Sequence, residues 1–442
     1  MKKDKISSLL RKIVKEKLSP TREDRELVTT IYQSFNDLLG INNCVQIGSY
    51  PRFTAIKPLH DLDILYIIGA WDSAGLVPDK LLEHLSHQFK KDYKNPTNYT
   101  IKIVVQTHSI SFKYIDNKDV EVFAVDLVPA LIDGKNEFNK NAFRVPEIIK
   151  IKRGRSREYF YDQKNINHDS ISWIKTDPIG YIEVSKRINS ENDDFRRSVK
   201  FVKGWKNECK EINEKFPLKS FHIEQLVTEY YIAQPSPDLF DSLFHFFTNL
   251  KEDIRIPRIK DRADHTKFVD EYLNNLSDEQ KNLVHEAVDA ILIGFENITE
   301  ANIGKVLAQG YYKRSAISER FLFDEKIPTL INDEYNFKID GLIDKYDGYR
   351  KYKASLRSVG CLVDTKNNVE FKIVESNSPH EHTKWKVKND NSCPEPRGEI
   401  SNNSTALTPE RTAFVGKHFV ECFAIKADEC IAKDRVEVKV RK

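Results

Sequence analysis

The sequence predicts an α+β protein, and three observations carry that prediction. Residues 44–132 are rich in short apolar runs of strand length around one amphipathic helical pattern. Residues 192–330 read as mostly helical, and residues 336–442 return to strand patterns. At roughly 100–200 residues per domain, the 442-residue chain holds two or three domains with ample buried core.

The elements follow in order. Ile6, Leu9, Leu10, Ile13 and Val14 recur at helical spacing until Leu18-Ser19-Pro20 breaks the pattern. Thr21-Arg-Glu-Asp24 resembles a capping box opening a second helix that ends near Gly40. Strands are expected at 44–47, 62–68, 101–105, 109–114 and 120–128, with a helix around 79–92. Residues 133–190 hold Gly, Pro and the basic run KIKRGRSRE, and read as loops and a hairpin before helix resumes. Helices are expected at 193–213, 221–233, 237–250, 265–275 and 278–295. The segments 324–338 and 374–384 read as loops, and strands are expected at 369–374, 383–388, 418–425 and 435–440. This predicts a boundary near 325–335.

Composition narrows the class of function. Hydrophobic residues are 40% and charged residues 31%, which excludes a disordered chain or a small disulfide scaffold. Lys+Arg 70 against Asp+Glu 67 leaves a net charge of +3, so any nucleic-acid site must be a local one. Cys44, Cys209, Cys361, Cys393, Cys422 and Cys430 form no C-x-x-C pair, and buried thiols in a reducing cytoplasm are expected. Charges interrupt the N-terminal segment, and the most apolar stretch, 64–71, is too short for a bilayer. The expectation is a cytoplasmic protein without a membrane partner.

One constellation carries chemistry. Val45-Gln-Ile-Gly48-Ser49-Tyr-Pro-Arg-Phe-Thr54 is followed by Asp61-Leu-Asp63 at the start of an apolar run. Glycine lets the backbone approach a ligand, and successive N–H groups there can hold phosphate. Asp61 and Asp63 alternate along a strand, so their carboxylates share a face. Like charges so close repel unless a cation lies between them, and Mg²⁺ with its oxygen preference fits that gap. Asp126, at the end of the pattern Val120, Val122, Ala124, supplies a third carboxylate if its strand pairs beside the first. That layout suits two-metal phosphoryl or nucleotidyl transfer. A lone Gly-Ser is an ordinary turn and a lone Asp-x-Asp an ordinary strand end; the combination is specific.

These residues resemble the nucleotidyltransferase fold of oligoadenylate synthases, cyclic GMP–AMP synthase and the bacterial CD-NTases. The G-S-Y-x-R-x-T…D-x-D pattern is closest to the bacterial SMODS branch, the oligonucleotide cyclases of CBASS anti-phage systems. A second match is Phe195-Arg-Arg-Ser-Val-Lys-Phe-Val-Lys203-Gly-Trp205 with Leu218-Lys-Ser220-Phe221-His-Ile-Glu224. On a helix, Phe195, Val199 and Val202 form one face and Arg196, Lys200 and Lys203 another. By itself the basic face reads as a solvated surface. The resemblance gives Lys203 and Ser220 to the triphosphate and Phe221 to stacking on the donor base, with Trp205 in the core. Trp173-Ile-Lys-Thr-Asp-Pro178 is a further landmark.

The C-terminal segment resembles the AGS-C sensor domain. Thr383-Lys-Trp385-Lys-Val-Lys-Asn389, Arg397-Gly-Glu-Ile400 and Gly416-Lys-His418-Phe-Val-Glu-Cys422 carry that resemblance. Trp385, Arg397 and His418 either form a stacking and phosphate site for a ligand, or Trp385 and Cys422 are core and Arg397 opens a turn. The spacing of His380, His382, Cys393 and His418 fits no zinc pattern. The zinc-bearing insertion through which animal cyclic GMP–AMP synthase grips DNA has no counterpart after Asp126, so no double-stranded DNA requirement is expected. The basic run at 150–157 reads as a charged, solvated hairpin.

The resemblance implies a polymerase-β-like nucleotidyltransferase sheet with an oligoadenylate-synthase-like helical lobe and a β-rich tail. The domains are expected at 1–190 (catalytic), 191–330 (helical) and 331–442 (sensor). Asp61, Asp63 and Asp126 would hold two Mg²⁺, with Mn²⁺ as the alternative ion. ATP, GTP or both would be joined into a cyclic di- or trinucleotide that activates a separate effector protein. The alternatives are a template-free nucleotidyltransferase acting on tRNA or protein, and a ligand-sensing regulatory protein.

Overall fold

A computed structural model describes all residues except 1, 73–74, 150–169, 297, 300–302, 304–317, 333, 348 and 403–408. The basic run at 150–158 therefore lies outside the described residues. The chain divides into two units, one of residues 10–246 and 250–282, the other of residues 1–9, 247–249 and 283–442.

The first unit is built on a seven-stranded sheet. Helix α1 (Lys2–Ile13) runs into a π-helical turn, Val14–Leu18, and Pro20 separates it from α2 (Arg22–Leu39). The expected capping box is present: Thr21 Oγ1 accepts from the Asp24 N–H at 3.1 Å, and Asp24 Oδ2 accepts from the Thr21 N–H at 2.8 Å. Strand β1 (Cys44–Ile47) pairs antiparallel with β2 (Asp61–Ala70). After α3 (Pro78–Asp92) come β3 (Thr100–Val105), β4 (Ile110–Ile115) and the long β5 (Glu121–Lys135). The order is β1-β2-β5-β4-β3, with β2 and β5 parallel.

In the region 133–190 the expected hairpin pairing and the return to helix are present, but more of it is strand than the expected loops. The far end of β5 pairs with β6 (Asn141–Ile149), which pairs with β7 (Ser170–Thr176) before α4 (Pro178–Glu191). Trp173 thus sits on a strand. Pro146 interrupts the β6 pattern, which is why the sequence reads as a loop.

Alternation along the strands divides the sheet into two faces. Leu62 and Ile64 join Phe112, Val125 and Leu127 under Ile31 and Phe35 of α2 and Leu82 and Phe89 of α3. The opposite face carries Asp61 and Asp63, then Leu65, which packs with Ala130, Phe143 and Val145. The carboxylates stand where that face has not yet become apolar.

Helices α5 (Asp194–Ile212), α6 (Ser220–Ala233), α7 (Leu239–Asp253) and α8 (Asp278–Glu296) follow. Phe195, Val199 and Val202 are buried along α5 as their spacing predicts, and Gly204 gives Leu18 a close approach. The helix expected at 265–275 is only a 3₁₀ turn, Glu271–Asn275. The Asp261 and Asp264 side chains there hydrogen-bond nearby backbone N–H groups and so compete with helix.

In the second unit, the described residues of 337–441 form two sheets. One has the order β10-β16-β15-β12-β13, the other β14-β11-β8-β9. The strands are β8 (Phe337–Asp347), β9 (Arg350–Ser355), β10 (Leu362–Asp364), β11 (Asn368–Ser376), β12 (His382–Lys388), β13 (Ile400–Ser401), β14 (Glu410–Arg411), β15 (Gly416–Lys426) and β16 (Glu429–Arg441). Ile339, Ile343, Val369 and Phe371 from one sheet meet Trp385, Val420, Cys422 and Val438 from the other in a single core. The mixed helix–sheet class and the strand-rich tail agree with the α+β expectation. Among the described residues no helix is long and apolar enough to cross a membrane.

Candidate active site

Strand pairing brings the expected carboxylates together. In the parallel β2–β5 ladder Asp63 lies opposite Asp126, and Asp61 lies opposite Ala124. Residues opposite in register share a face, so all three aspartates project from one face of the sheet. Burial raises the Asp63 carboxyl, and Asp61 and Asp126 push it further, to about 7. Burial also raises Asp126, with its register partner Ser111 pulling the other way. Asp126 Oδ1 is buried without a hydrogen-bond partner.

Gly48 belongs to the same cluster. Ile47 pairs with Asp63, so the chain leaves β1 directly against that carboxylate. Gly48 has φ +76°, and a Cβ there would lie 2.0 Å from Asp63 Oδ2. Only glycine fits. The turn that follows, carrying Ser49, is closed by Phe53 N–H to Tyr50 O at 2.9 Å and Thr54 N–H to Ser49 O at 3.0 Å.

An oxygen-only donor set with an orphaned buried carboxylate oxygen suits a hard cation such as Mg²⁺. The side chains are not in ligating positions as they stand, because no three His, Cys, Asp or Glu among the described residues form a group able to hold an ion. The expected ion site is therefore a shared face rather than an assembled cage.

The residues expected at the triphosphate divide. Lys203 is buried and turned inward: its Nζ donates to Glu224 Oε2 at 2.5 Å, to Thr54 O at 3.2 Å and to Thr54 Oγ1 at 3.3 Å. Arg52 Nε donates to Glu224 Oε1 at 2.7 Å, and Thr54 Oγ1 donates to the same oxygen at 3.0 Å. Burial would raise the Glu224 carboxyl, but Arg52 and Lys203 outweigh it and hold it at about 2. Lys203, expected at the triphosphate, here ties α5 and α6 to the turn after β1. The reason is Glu224, whose burial demands a full set of partners.

Lys206 is the α5 lysine that meets Ser220. It lies three residues on along α5, and its Nζ is 3.3 Å from Ser220 Oγ at the first residue of α6. Burial and the neighbouring Lys210 and Lys203 lower its ammonium. Phe221 follows, half-buried, with its ring 4.9 Å from Tyr181 in an edge contact and the Arg52 guanidinium 5.3 Å from its centroid. Arg52, Lys206 and Glu224 were missed as site residues. Lys206 had a signal in its helical spacing from Lys203, whereas Arg52 and Glu224 had none beyond lying inside the two motifs.

In the strand-rich tail, Trp385 is buried at the interface of the two sheets, opposite Cys422 in register. Arg397 Nη2 donates to Glu410 Oε2 at 2.7 Å. His418 Nδ1 accepts from the Asp390 N–H at 3.1 Å, and its Nε2 lies 2.9 Å from Phe414 O. Trp385 is therefore core and cannot stack on a ligand beside Arg397 and His418.

Residues 317–441 match the adenylyl/guanylyl and SMODS C-terminal sensor domain. The sensor-domain match covers the nine strands of the tail found among the described residues, as the sequence resemblance implied. Comparison with curated proteins returns no match. Among solved structures, CdnC of Escherichia coli MS115-1 with ATP is similar at 16% identity and a TM-score of 0.48, over 70% of this chain and 98% of that one. The CD-NTase CdnG of Bradyrhizobium diazoefficiens with GTP is similar at 11% identity and a TM-score of 0.46, over 69% of this chain and 96% of that one. The CdnE cyclic dinucleotide synthase of Elizabethkingia meningoseptica, solved with GTP and Apcpp, is similar at 15% identity and a TM-score of 0.39, over 62% of this chain and 93% of that one.

Proposed function

We propose that this protein is a Mg²⁺-dependent nucleotidyltransferase that joins NTPs into a cyclic di- or trinucleotide and releases pyrophosphate. The observation that carries the reading is the β2–β5 register, which sets Asp63 against Asp126 with Asp61 on the same face and Gly48 packed beside them. A ribose hydroxyl of the acceptor attacks the α-phosphorus of the donor. The new O–P bond forms as the bond to the β-phosphate oxygen breaks, and pyrophosphate carries that electron pair away. Asp126 Oδ1, buried and without a hydrogen-bond partner, is suited to take the hydroxyl proton. Bound Mg²⁺ at Asp61, Asp63 and Asp126 supplies charge stabilisation for the transferring phosphate. Lys206 and Ser220 orient the donor triphosphate, the backbone at Gly48 and Ser49 approaches it, and Phe221 meets the donor base.

The division of labour follows the expected domains: 1–190 for chemistry, 191–330 for holding the substrate and 331–442 for sensing a ligand. The resemblance to SMODS enzymes adds a product-activated effector and CBASS anti-phage defence, and the cysteine usage adds a cytoplasmic setting. The test is incubation with α-³²P-labelled NTPs and Mg²⁺, followed by phosphatase and mass spectrometry, with Asp63→Ala as control. A phosphatase-resistant product absent from the control is expected. Pyrophosphate release retained in Asp63→Ala would overturn the reading.

A further inference from the structure

The two sheets of the tail leave a gap between them beside β14. That strand is two residues long and meets β11 only at Asn368 and Val369. The gap is a cavity of about 160 Å³. Its floor is apolar, with Val369 and Phe371 from one sheet and Val420, Val438 and Val440 from the other. These side chains belong to the same core as Trp385, so the cavity is a place where that core has not filled.

The wall that follows β14 is tied in place. Thr412 is buried, its N–H donates to Asn367 O at 2.9 Å, and its Oγ1 donates to Asp364 O at 2.8 Å. Phe414 is held through its carbonyl, which lies 2.9 Å from His418 Nε2. Because His418 Nδ1 accepts from the Asp390 N–H, the proton of the neutral ring sits on Nε2 and is donated to Phe414 O. The cavity is thus formed before anything enters it, and a ligand has little chain to order.

Two polar groups lining the cavity keep hydrogen-bonding capacity in reserve. Arg397 donates from Nη2 to Glu410 Oε2, yet its Nε is buried without a partner. Asn389 donates from Nδ2 to Glu395 O at 2.9 Å, and among the described residues nothing donates to its Oδ1. The Asn389 N–H bonds Arg397 O at 3.2 Å, so the open donor and the open acceptor stand on paired residues. A buried donor without a partner is costly, and an acceptor brought by a ligand removes that cost. The charges around the cavity cancel, Arg397 and Arg411 against Glu395 and Glu410.

We propose that this cavity binds a small neutral heteroaromatic molecule, with its ring on the apolar floor and its polar edge on Arg397 Nε and Asn389 Oδ1. The size fits, since an apolar cavity of about 150 Å³ holds a benzene ring. The balanced charge gives no surplus for an anion, so a phosphate or a nucleotide gains nothing over the bare ring. The proposal rests on the reading of 331–442 as a ligand-sensing segment and names the chemistry that it senses. Its test reads binding without any NTP, so it stands or falls apart from nucleotidyl transfer.

The test uses the full chain in EDTA, with 7-azaindole as the probe and calorimetric titration plus thermal melting as readouts. This probe carries a ring N–H donor beside a ring-nitrogen acceptor. It is expected to bind at one site and to raise the melting temperature, since a molecule bound only to the folded state stabilises it by mass action. Indole, which lacks the acceptor, is expected to bind at least about tenfold more weakly. Arg397→Met is expected to erase the difference between the two probes, a result that a merely structural role for Arg397 does not produce. Val387→Phe, at a half-buried position on the wall, is expected to fill the cavity and bind neither probe, and serves if the first variant misfolds. No binding by the parent, equal affinity for the two probes, or unchanged affinities in both variants would overturn the proposal. ATP displacing 7-azaindole more tightly than adenine does would overturn it too, because the site would then read phosphate.

Discussion

Two charged clusters stand in the unit of residues 10–246 and 250–282, and they are built on opposite principles. At Asp61, Asp63 and Asp126, like charges share one face and a buried oxygen goes without a partner. At Arg52, Lys203 and Glu224, opposite charges meet, and each cation has a short bond to the carboxylate, 2.7 Å from Arg52 and 2.5 Å from Lys203. A buried cluster that satisfies itself is complete without anything added, and its work is to hold elements together. A cluster whose charges all have one sign is completed only by something from outside. The comparison separates structure from function more sharply than burial does, since both clusters hold groups largely withdrawn from solvent.

The comparison breaks first at Glu224. Glu224→Ala leaves Arg52 and Lys203 buried and unpaired, and is expected to cost about 3–5 kcal/mol. Urea denaturation measures it, and a loss below about 1 kcal/mol would mean that the matched cluster is not structural. Asp63→Asn is expected to do the opposite. Removing one of three repelling charges leaves stability equal or higher, while NTP-dependent pyrophosphate release falls by roughly a hundred- to a thousandfold. Parallel melting and activity measurements separate the two outcomes, and a destabilised but active Asp63→Asn would invert the assignment.

Gly48→Ala comes next. It forces a Cβ against Asp63 at a left-handed φ, with an expected cost of about 1–2 kcal/mol and a larger loss of activity. Lys206→Met is then expected to raise KM for the NTP about tenfold with stability within about 0.5 kcal/mol. Lys203→Met, by contrast, is expected to unfold at markedly lower denaturant. Equal effects of the two lysines on stability would erase the distinction between them.

The smallest effect is in pH. Glu224 ionises at about 2 in the fold against an ordinary 4.5, so its stabilisation is complete above 4.5 and is lost as pH falls from there toward 2. Asp63 runs the other way. Its pKa is raised from 3.8 to about 7, so the fold loses stability as pH rises through that window. Mg²⁺ offsets that loss when it binds the ionised form. The Mg²⁺-induced rise in melting temperature is therefore expected to be greater at pH 8 than at pH 5.5, and an equal or reversed rise would remove the ion from this cluster.

Much of this was written in local pattern. The strands at 44–47 and 62–68, the helix at 79–92 and the Thr21 cap follow from alternation, helical period and capping chemistry, which depend on neighbours in the chain. The strands β6 and β7 did not, because Pro146 and the polar residues around it look like loop until β5 supplies a partner. Lys203 shows the same limit at a single residue. Its motif is legible, but whether its ammonium meets a ligand or Glu224 depends on a carboxylate 21 residues away.

The sequence by itself determined most of the elements, the alternation that puts Asp61 and Asp63 on one face, and the glycine that lets β1 leave against them. Tertiary structure alone decided that Asp126 lies opposite Asp63, that Glu224 takes Lys203, and that Arg397 lines a cavity between two sheets. The reason is the range of the forces. Backbone preference and periodic burial act over a few residues, whereas the pairing of charges and the lining of a cavity depend on which distant segments the packed core brings within a few ångströms.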